Sequence, residues 1–164
     1  MTPVEPVTIR AEVVPAATKR WTAAEHEAGL LRLVAPGQPR QRLRTLLALA
    51  ASHPYRRDEL VRMFPAWMDP RFTRRAGPAR GGVAPDQRLL GILQGKGAPK
   101  LCYMLSDDEN LDGRELPLAE ALSTAVYSSP VYVYLASCVP GRLGFYVDAE
   151  WYEERWVLER PEGR

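Results

Sequence analysis

The segment 131–138, VYVYLASC, carries apolar side chains at nearly every position. Successive side chains of a β-strand point to opposite faces of the sheet, so this segment is apolar on both faces. It therefore predicts a strand at the centre of a sheet. Residues 139–142 (VPGR) place proline and glycine where a type II turn needs them, which predicts an antiparallel return over residues 142–148.

The remainder of the second half of the chain predicts a small sheet with helical cover. Residues 100–105 (KLCYML) and 155–159 (RWVLE) predict two further strands, and the apolar spacing over 117–127 predicts a helix. The acidic residues between 106 and 116 predict a loop. This order indicates a small, mostly antiparallel sheet with one covering helix.

Short helices are predicted in the first half of the chain. Thr22 and Glu25 have the spacing of a capping box, which begins a helix that continues to about Val34. Pro39 suits the first turn of a second helix, and a third is predicted over residues 57–64. Three short helices joined by tight turns are typical of the helix-turn-helix pattern.

The segment 68–84, MDPRFTRRAGPARGGVA, has four Arg, three Gly and two Pro and shows no periodicity. It predicts a basic loop, or the wing of a winged helix if Phe72 and Val83 anchor a hairpin. A further helix is predicted to begin at Pro85.

We therefore expect an α+β fold in two linked parts. The first, residues 1–98, is basic and helical, with a helix-turn-helix-like and possible winged arrangement and a short strand over 7–14. The second, residues 99–164, is the acidic sheet with its covering helix. Packing of the two parts as a single domain is left open.

The net charge of +2 hides a division between the two halves of the chain. Residues 1–82 carry a net charge of +7, and residues 83–164 carry −5. Arg outnumbers Lys 19 to 3, a bias that a GC-rich genome also produces. Genome composition does not explain the scarcity of acidic residues between Arg32 and Arg80, where the net charge is +8. A function has to account for this basic stretch.

The position of the arginines favours nucleic-acid binding. Cations near a helix N-terminus oppose the helix dipole, so arginines at these positions do not stabilise their own helices. The guanidinium groups of arginine and the N-terminal amides of a helix both bind phosphate oxygens. We expect DNA as the partner, in a regulatory or accessory role, with Arg57 and Arg62 in the major groove. The residues predicted to contact nucleic acid are Arg40, Arg42, Arg44, Arg56, Arg57, Arg62, Arg71, Arg74, Arg75 and Arg80.

The alternative is a non-enzymatic protein-interaction module whose basic and acidic halves neutralise each other. An acidic protein is a further possible partner of the basic half. Trp151 and Tyr152, among acidic neighbours, are predicted to form a partner interface, and the sheet could support a homodimer. A salt-dependent affinity for DNA would separate these two hypotheses.

Asp108, Asn110 and Asp112, followed by Gly113, match the opening of a calcium loop. The twelfth position, which should supply a bidentate Glu, is Ala119, so a simple turn is favoured over a metal site. We expect no metal and no cofactor. The chain has none of the common hydrolase, phosphate-loop or zinc motifs, and enzymatic function stays undecided because a site built from distant loops leaves no motif.

No apolar run approaches the ~20 residues that a bilayer span needs, and the N-terminus lacks the layout of a signal peptide. We expect a cytoplasmic protein with no membrane partner.

Overall fold

The computed structural model describes residues 20–53, 56–76, 85–122, 133–148 and 154–161. The helices are α1 (Ala23–Leu30), α2 (Gln38–Ala50), α3 (Arg56–Met63), α4 (Pro85–Gly95) and α5, of which residues 118–122 are described. A 3-10 turn, Phe64–Trp67, follows α3. The strands are β1 (Thr73–Arg75), β2 (Leu101–Ser106), β3 (Glu115–Pro117), β4 (Val133–Val139), β5 (Leu143–Asp148) and β6 (Glu154–Glu159).

The six strands form one antiparallel sheet in the order β1-β6-β5-β4-β2-β3. Strand β4 lies between β5 and β2, and its residues from Val133 to Cys138 are buried, as the doubly apolar segment predicted. The turn into β5 has Gly141 at φ +72°, and the Arg142 amide donates to the Val139 carbonyl at 3.0 Å. Strands and helices together confirm the α+β class.

Helices cover both faces of the sheet, whereas the sequence predicted one covering helix. Met104 and Phe145 face α4 and α5, and Leu105 and Leu135 face α1, α2 and α3. The difference arises because the N-terminal helices pack on this sheet, burying their apolar stripes there. Because successive side chains of a strand point to opposite faces of the sheet, each strand contributes side chains to the apolar cores on both faces.

The N-terminal helices begin where their local signals indicate. The Thr22 hydroxyl accepts the Glu25 amide at 3.1 Å, and the Glu25 carboxylate accepts the Thr22 amide at 3.2 Å, which confirms the capping box. Pro39 lies in the first turn of α2. Helix α1 ends earlier than predicted, and Val34 instead forms an isolated antiparallel bridge with Met68.

Part of the predicted basic loop is an edge strand. Residues 73–75 form β1, which pairs with β6 from the far end of the chain. The wing hairpin that the sequence offered as an alternative is not confirmed, because the partner of β1 is β6 and Val83 lies outside the described residues. A second short edge strand, β3, occupies the end of the predicted acidic loop. The predicted strand over 7–14 and the remainder of the helix over 117–127 also lie outside the described residues.

Candidate functional site

Arg57, at the start of α3, is held by two carboxylates of its own chain. Its guanidinium donates to Asp112 at 3.1 Å and lies 3.6 Å from a Glu27 oxygen. Glu27 also accepts the hydroxyl of Tyr103 at 2.6 Å. The side chain of Arg57 is 13% exposed, so this predicted DNA contact is enclosed between α1, α3 and the turn before β3.

Two more of the predicted DNA contacts pair with carboxylates of the second part of the chain. The Arg62 guanidinium donates to Asp58 at 2.7 Å and to Asp107 at 2.8 Å. Arg75 donates to Glu154 at 2.8 Å. Further ion pairs between the two parts are Arg20–Glu115 at 2.7 Å, Lys96–Glu159 at 2.7 Å and Arg155–Asp86 at 2.8 Å. The basic and acidic parts are thus joined by ion pairs across the sheet and its helical layers.

The pKa values of the carboxylates that pair with arginines are shifted in different directions. Burial raises the pKa of Asp107 and Asp112, although their arginine partners act in the opposite direction. Asp69 behaves differently, because hydrogen bonds from Arg71 lower its pKa. Arg71 is therefore engaged within its own turn.

No arginine of α2 forms an ion pair with a carboxylate of the described part of the chain, although the charge of Arg40 contributes to the lowered pKa of Asp69. Arg40 donates to the Val34 carbonyl at 3.3 Å, and Arg44 donates to the Gln41 side chain at 2.6 Å. The exposed guanidinium of Arg42 makes neither a hydrogen bond nor an ion pair with any described residue. Positive charge thus stays accessible at Arg42 and Arg44, which are exposed.

The remaining residues that were predicted to contact DNA or a protein partner lie on α3, on β1 or outside the described residues. Arg56 donates to Glu59, in its own helix, at 2.6 Å. The guanidinium of Arg74, on edge strand β1, is exposed and pairs with no residue in the ranges given above. Arg80, Trp151 and Tyr152 lie outside the described residues.

A groove of about 570 Å³ runs between α2 and α3. Leu46 and Leu49 line it from α2, Met63 from α3 and Trp67 from the 3-10 turn. Leu49 is 37% exposed and Met63 is 46% exposed, and among the described residues these are the exposed large hydrophobic side chains. Both therefore lie on the same concave surface.

One face of α2 lines this groove along one side. Gln38, Arg42, Thr45 and Leu49 line it at successive helical turns, so the wall is polar near the start of α2 and apolar near its end. Leu49 was not among the residues predicted to bind a partner. It lies next to the buried residues Leu46 and Ala50 of α2, and this position beside the buried stripe was the available signal.

A second cavity, of about 440 Å³, lies beside the first and shares Met63 with it. Arg62, Tyr146 and Glu154 are among its lining residues. The Tyr146 hydroxyl donates to the Val61 carbonyl at 3.0 Å, and Arg62 is paired as described above. The polar groups that face this cavity already have partners within the chain.

His26 and Ser137 form a buried pair that no local pattern in the sequence indicates. The His26 Nδ1 and the Ser137 hydroxyl are 2.7 Å apart, and the two residues are separated by 111 positions in the chain. Burial lowers the pKa of His26. Both side chains are almost completely buried, so the pair connects α1 to β4 and presents no surface to a ligand.

The residues of the possible calcium loop form a turn. The Asp108 carboxylate accepts the Asn110 amide at 2.9 Å, and the Asp112 carboxylate accepts the Ser106 amide and Arg57. Gly113 follows at φ +75°. Within the described ranges, no group of three or more His, Cys, Asp or Glu side chains could hold a metal ion.

No protein-family model matches the chain, and no curated protein or solved structure shows significant similarity to it. Among the helices of the described segments, none combines the length and the apolar character that crossing a membrane requires.

Proposed function

We propose that this chain is a protein-interaction module whose contact surface is the groove between α2 and α3. The observation that carries the proposal is the joint exposure of Leu49 and Met63 on the walls of one concave surface. Exposed apolar side chains that cluster in a groove are typical of interaction sites, because burial by a partner removes them from water. Trp67 and Leu46 extend this apolar surface inward.

The ion pairs between the two parts support the same proposal. Arg57, Arg62 and Arg75, predicted from the sequence to bind DNA, are paired with Asp112, Asp107 and Glu154. Three of the ten arginines predicted to bind DNA are therefore paired with carboxylates of the acidic part. These pairs also attach α3 and β1 to the acidic part, which gives the groove a fixed α3 wall.

The proposal can be tested with a displayed library of random, helix-biased peptides. The library is selected on the wild-type protein, and the selected peptides are then measured on Met63→Glu and Leu49→Gln. We expect peptides that lose at least roughly tenfold in affinity on these variants, because a glutamate charge or a glutamine amide without a polar partner opposes burial in an apolar pocket. Ala48→Glu places the same charge on an exposed position of α2 outside the groove and should leave binding unchanged. Selection that yields no peptide sensitive to Met63 or Leu49 rejects the proposal.

DNA binding is the second candidate function, and the exposed arginines on α2 and β1 favour it. Arg42, Arg44 and Arg74 have no carboxylate partner among the described residues and could contact phosphates. Three phosphate contacts predict a slope of about −2.7 for log affinity against log salt on duplex DNA. Fluorescence anisotropy with a labelled duplex measures this slope. If the slope is unchanged when all three arginines become Gln, these side chains do not bind DNA.

A further inference from the structure

We infer that the groove between α2 and α3 binds an acidic amphipathic helix. The partner is then a protein segment that carries carboxylates beside a row of apolar side chains. This inference rests on the proposed function and identifies the chemistry of the partner for the same groove.

The dimensions of the groove suit a short helix. Its α2 wall extends from Gln38 to Leu49, which at 1.5 Å per residue corresponds to about 16 Å. A ligand helix of about three turns covers this distance and can place apolar side chains one turn apart against Leu46, Leu49 and Met63. The apolar part of the groove thus matches one face of an amphipathic helix.

The backbone chemistry of the walls favours a helical ligand over an extended one. Both long walls are helices, α2 and α3, whose backbone groups are bonded within the helix. An extended peptide in this groove would have no strand edge to pair with, and its own backbone groups would lose water without replacement. A helix satisfies its backbone internally and needs only side-chain contacts.

The charge of the groove favours carboxylates on the ligand. Helix α2 contains Arg40, Arg42 and Arg44 and no acidic residue. Arg42 lines the groove, and its guanidinium has no partner in the described part of the chain. The groove carboxylate of Glu59 already accepts from Arg56. A glutamate or aspartate of the ligand can therefore pair with Arg42 without displacing an existing contact.

The test uses two labelled helical peptides of about 16 residues that share a leucine face matched to the groove. One peptide has glutamates beside that face, and the other has glutamines at the same positions. At low salt we expect the glutamate peptide to bind roughly tenfold more tightly to the wild-type protein. Arg42→Gln should remove most of this difference, whereas Arg44→Gln, on the same helix but outside the groove lining, should retain it.

Each outcome decides the inference. Equal affinity for the two peptides, with both weakened by Met63→Glu, rejects an acidic partner and leaves the groove as a contact surface. If both peptides bind and neither is affected by Met63→Glu or Leu49→Gln, the groove is not the binding site. The proposed function then fails as well. Self-association in sedimentation equilibrium that Met63→Glu abolishes identifies a second copy of the chain as the occupant and overturns the inference. The inference also fails if duplex DNA displaces the glutamate peptide and this peptide binds the Met63→Glu variant as tightly as the wild type.

Discussion

The Arg57 guanidinium donates to the Asp112 carboxylate at 3.1 Å, and this contact connects the first turn of α3 to the turn before β3. Both side chains are largely shielded from water, with exposures of 13% and 22%. A charged side chain that loses its partner in such a place remains poorly solvated. The pair therefore matters for the attachment of the helical layer to the sheet.

Replacing Arg57 with Ala should lower the free energy of unfolding by about 2 kcal/mol, because Asp112 and Glu27 lose a shared cation at a half-buried site. Urea denaturation monitored by tryptophan fluorescence measures the change. Arg74→Ala is the matched control, since that guanidinium is exposed, and its effect should stay within about 0.5 kcal/mol. Equal effects of the two substitutions would contradict the role assigned to Arg57.

His26 should make the stability depend on pH. Burial lowers its pKa below the usual 6.5, so the unfolded chain binds a proton below pH 6.5 that the folded protein does not bind. This contribution to stability is complete above pH 6.5 and decreases as the pH falls through that value, by at most about 1.4 kcal/mol per pH unit.

Urea midpoints at about pH 7.5 and about pH 5.5 test this dependence. The loss of stability at the lower pH should be smaller in His26→Gln than in the wild type. An equal loss in the two proteins would mean that other groups cause the dependence.

Gly29 should not tolerate a side chain. A Cβ at this position would clash with the backbone of Pro140 and Gly141, because α1 packs directly on the turn between β4 and β5. Gly29→Ala should therefore cost about 2 to 3 kcal/mol in unfolding free energy.

Gly91, in α4, is the matched control for Gly29, since a Cβ there meets nothing within 4 Å. Gly91→Ala should stabilise the protein by about 0.5 to 1 kcal/mol, because alanine restricts the unfolded chain and favours the helix. Thermal unfolding followed by circular dichroism compares the two variants. A neutral Gly29→Ala variant would disprove the close packing of α1.

The two cysteines should not react in the folded protein. Burial raises the pKa of Cys102 to about 12 and raises that of Cys138, and both residues are inaccessible. A thiol reagent at about pH 8 should modify neither residue in the native state and both in denaturant. Rapid modification of one thiol in native protein would contradict this burial.

The local signals in the sequence predicted the elements that depend on nearby residues. The capping box of Thr22 and Glu25 and the proline at the start of α2 act within one helical turn. The central position of β4 followed from its apolar pattern alone. Strands β1 and β3 have three residues each, and their pairing partners are set by tertiary contacts that no local pattern encodes.

The candidate site was harder to predict, because charge totals indicate attraction between two parts but not the pairs that form. The opposite net charges support the alternative of two halves that neutralise each other, which implies contacts of the kind that Arg57 makes with Asp112 but identifies no individual pair. The same totals suggested that α3 would face DNA, whereas its arginines Arg57 and Arg62 face carboxylates. The groove depends on how α2 and α3 approach each other, so the exposure of Leu49 and Met63 is visible only in the folded chain.

Carboxylates of the acidic part neutralise arginines of the basic part through the ion pairs of Arg57, Arg62 and Arg75. The free energy of unfolding as a function of salt concentration measures this attraction. From about 0.02 M to about 0.5 M NaCl, we expect the wild type to lose about 1 kcal/mol, because salt screens attraction between opposite charges. A variant with Arg57, Arg62 and Arg75 changed to Met should lose much less. Wild-type stability that stays constant or rises over this range would contradict the neutralisation of these arginines.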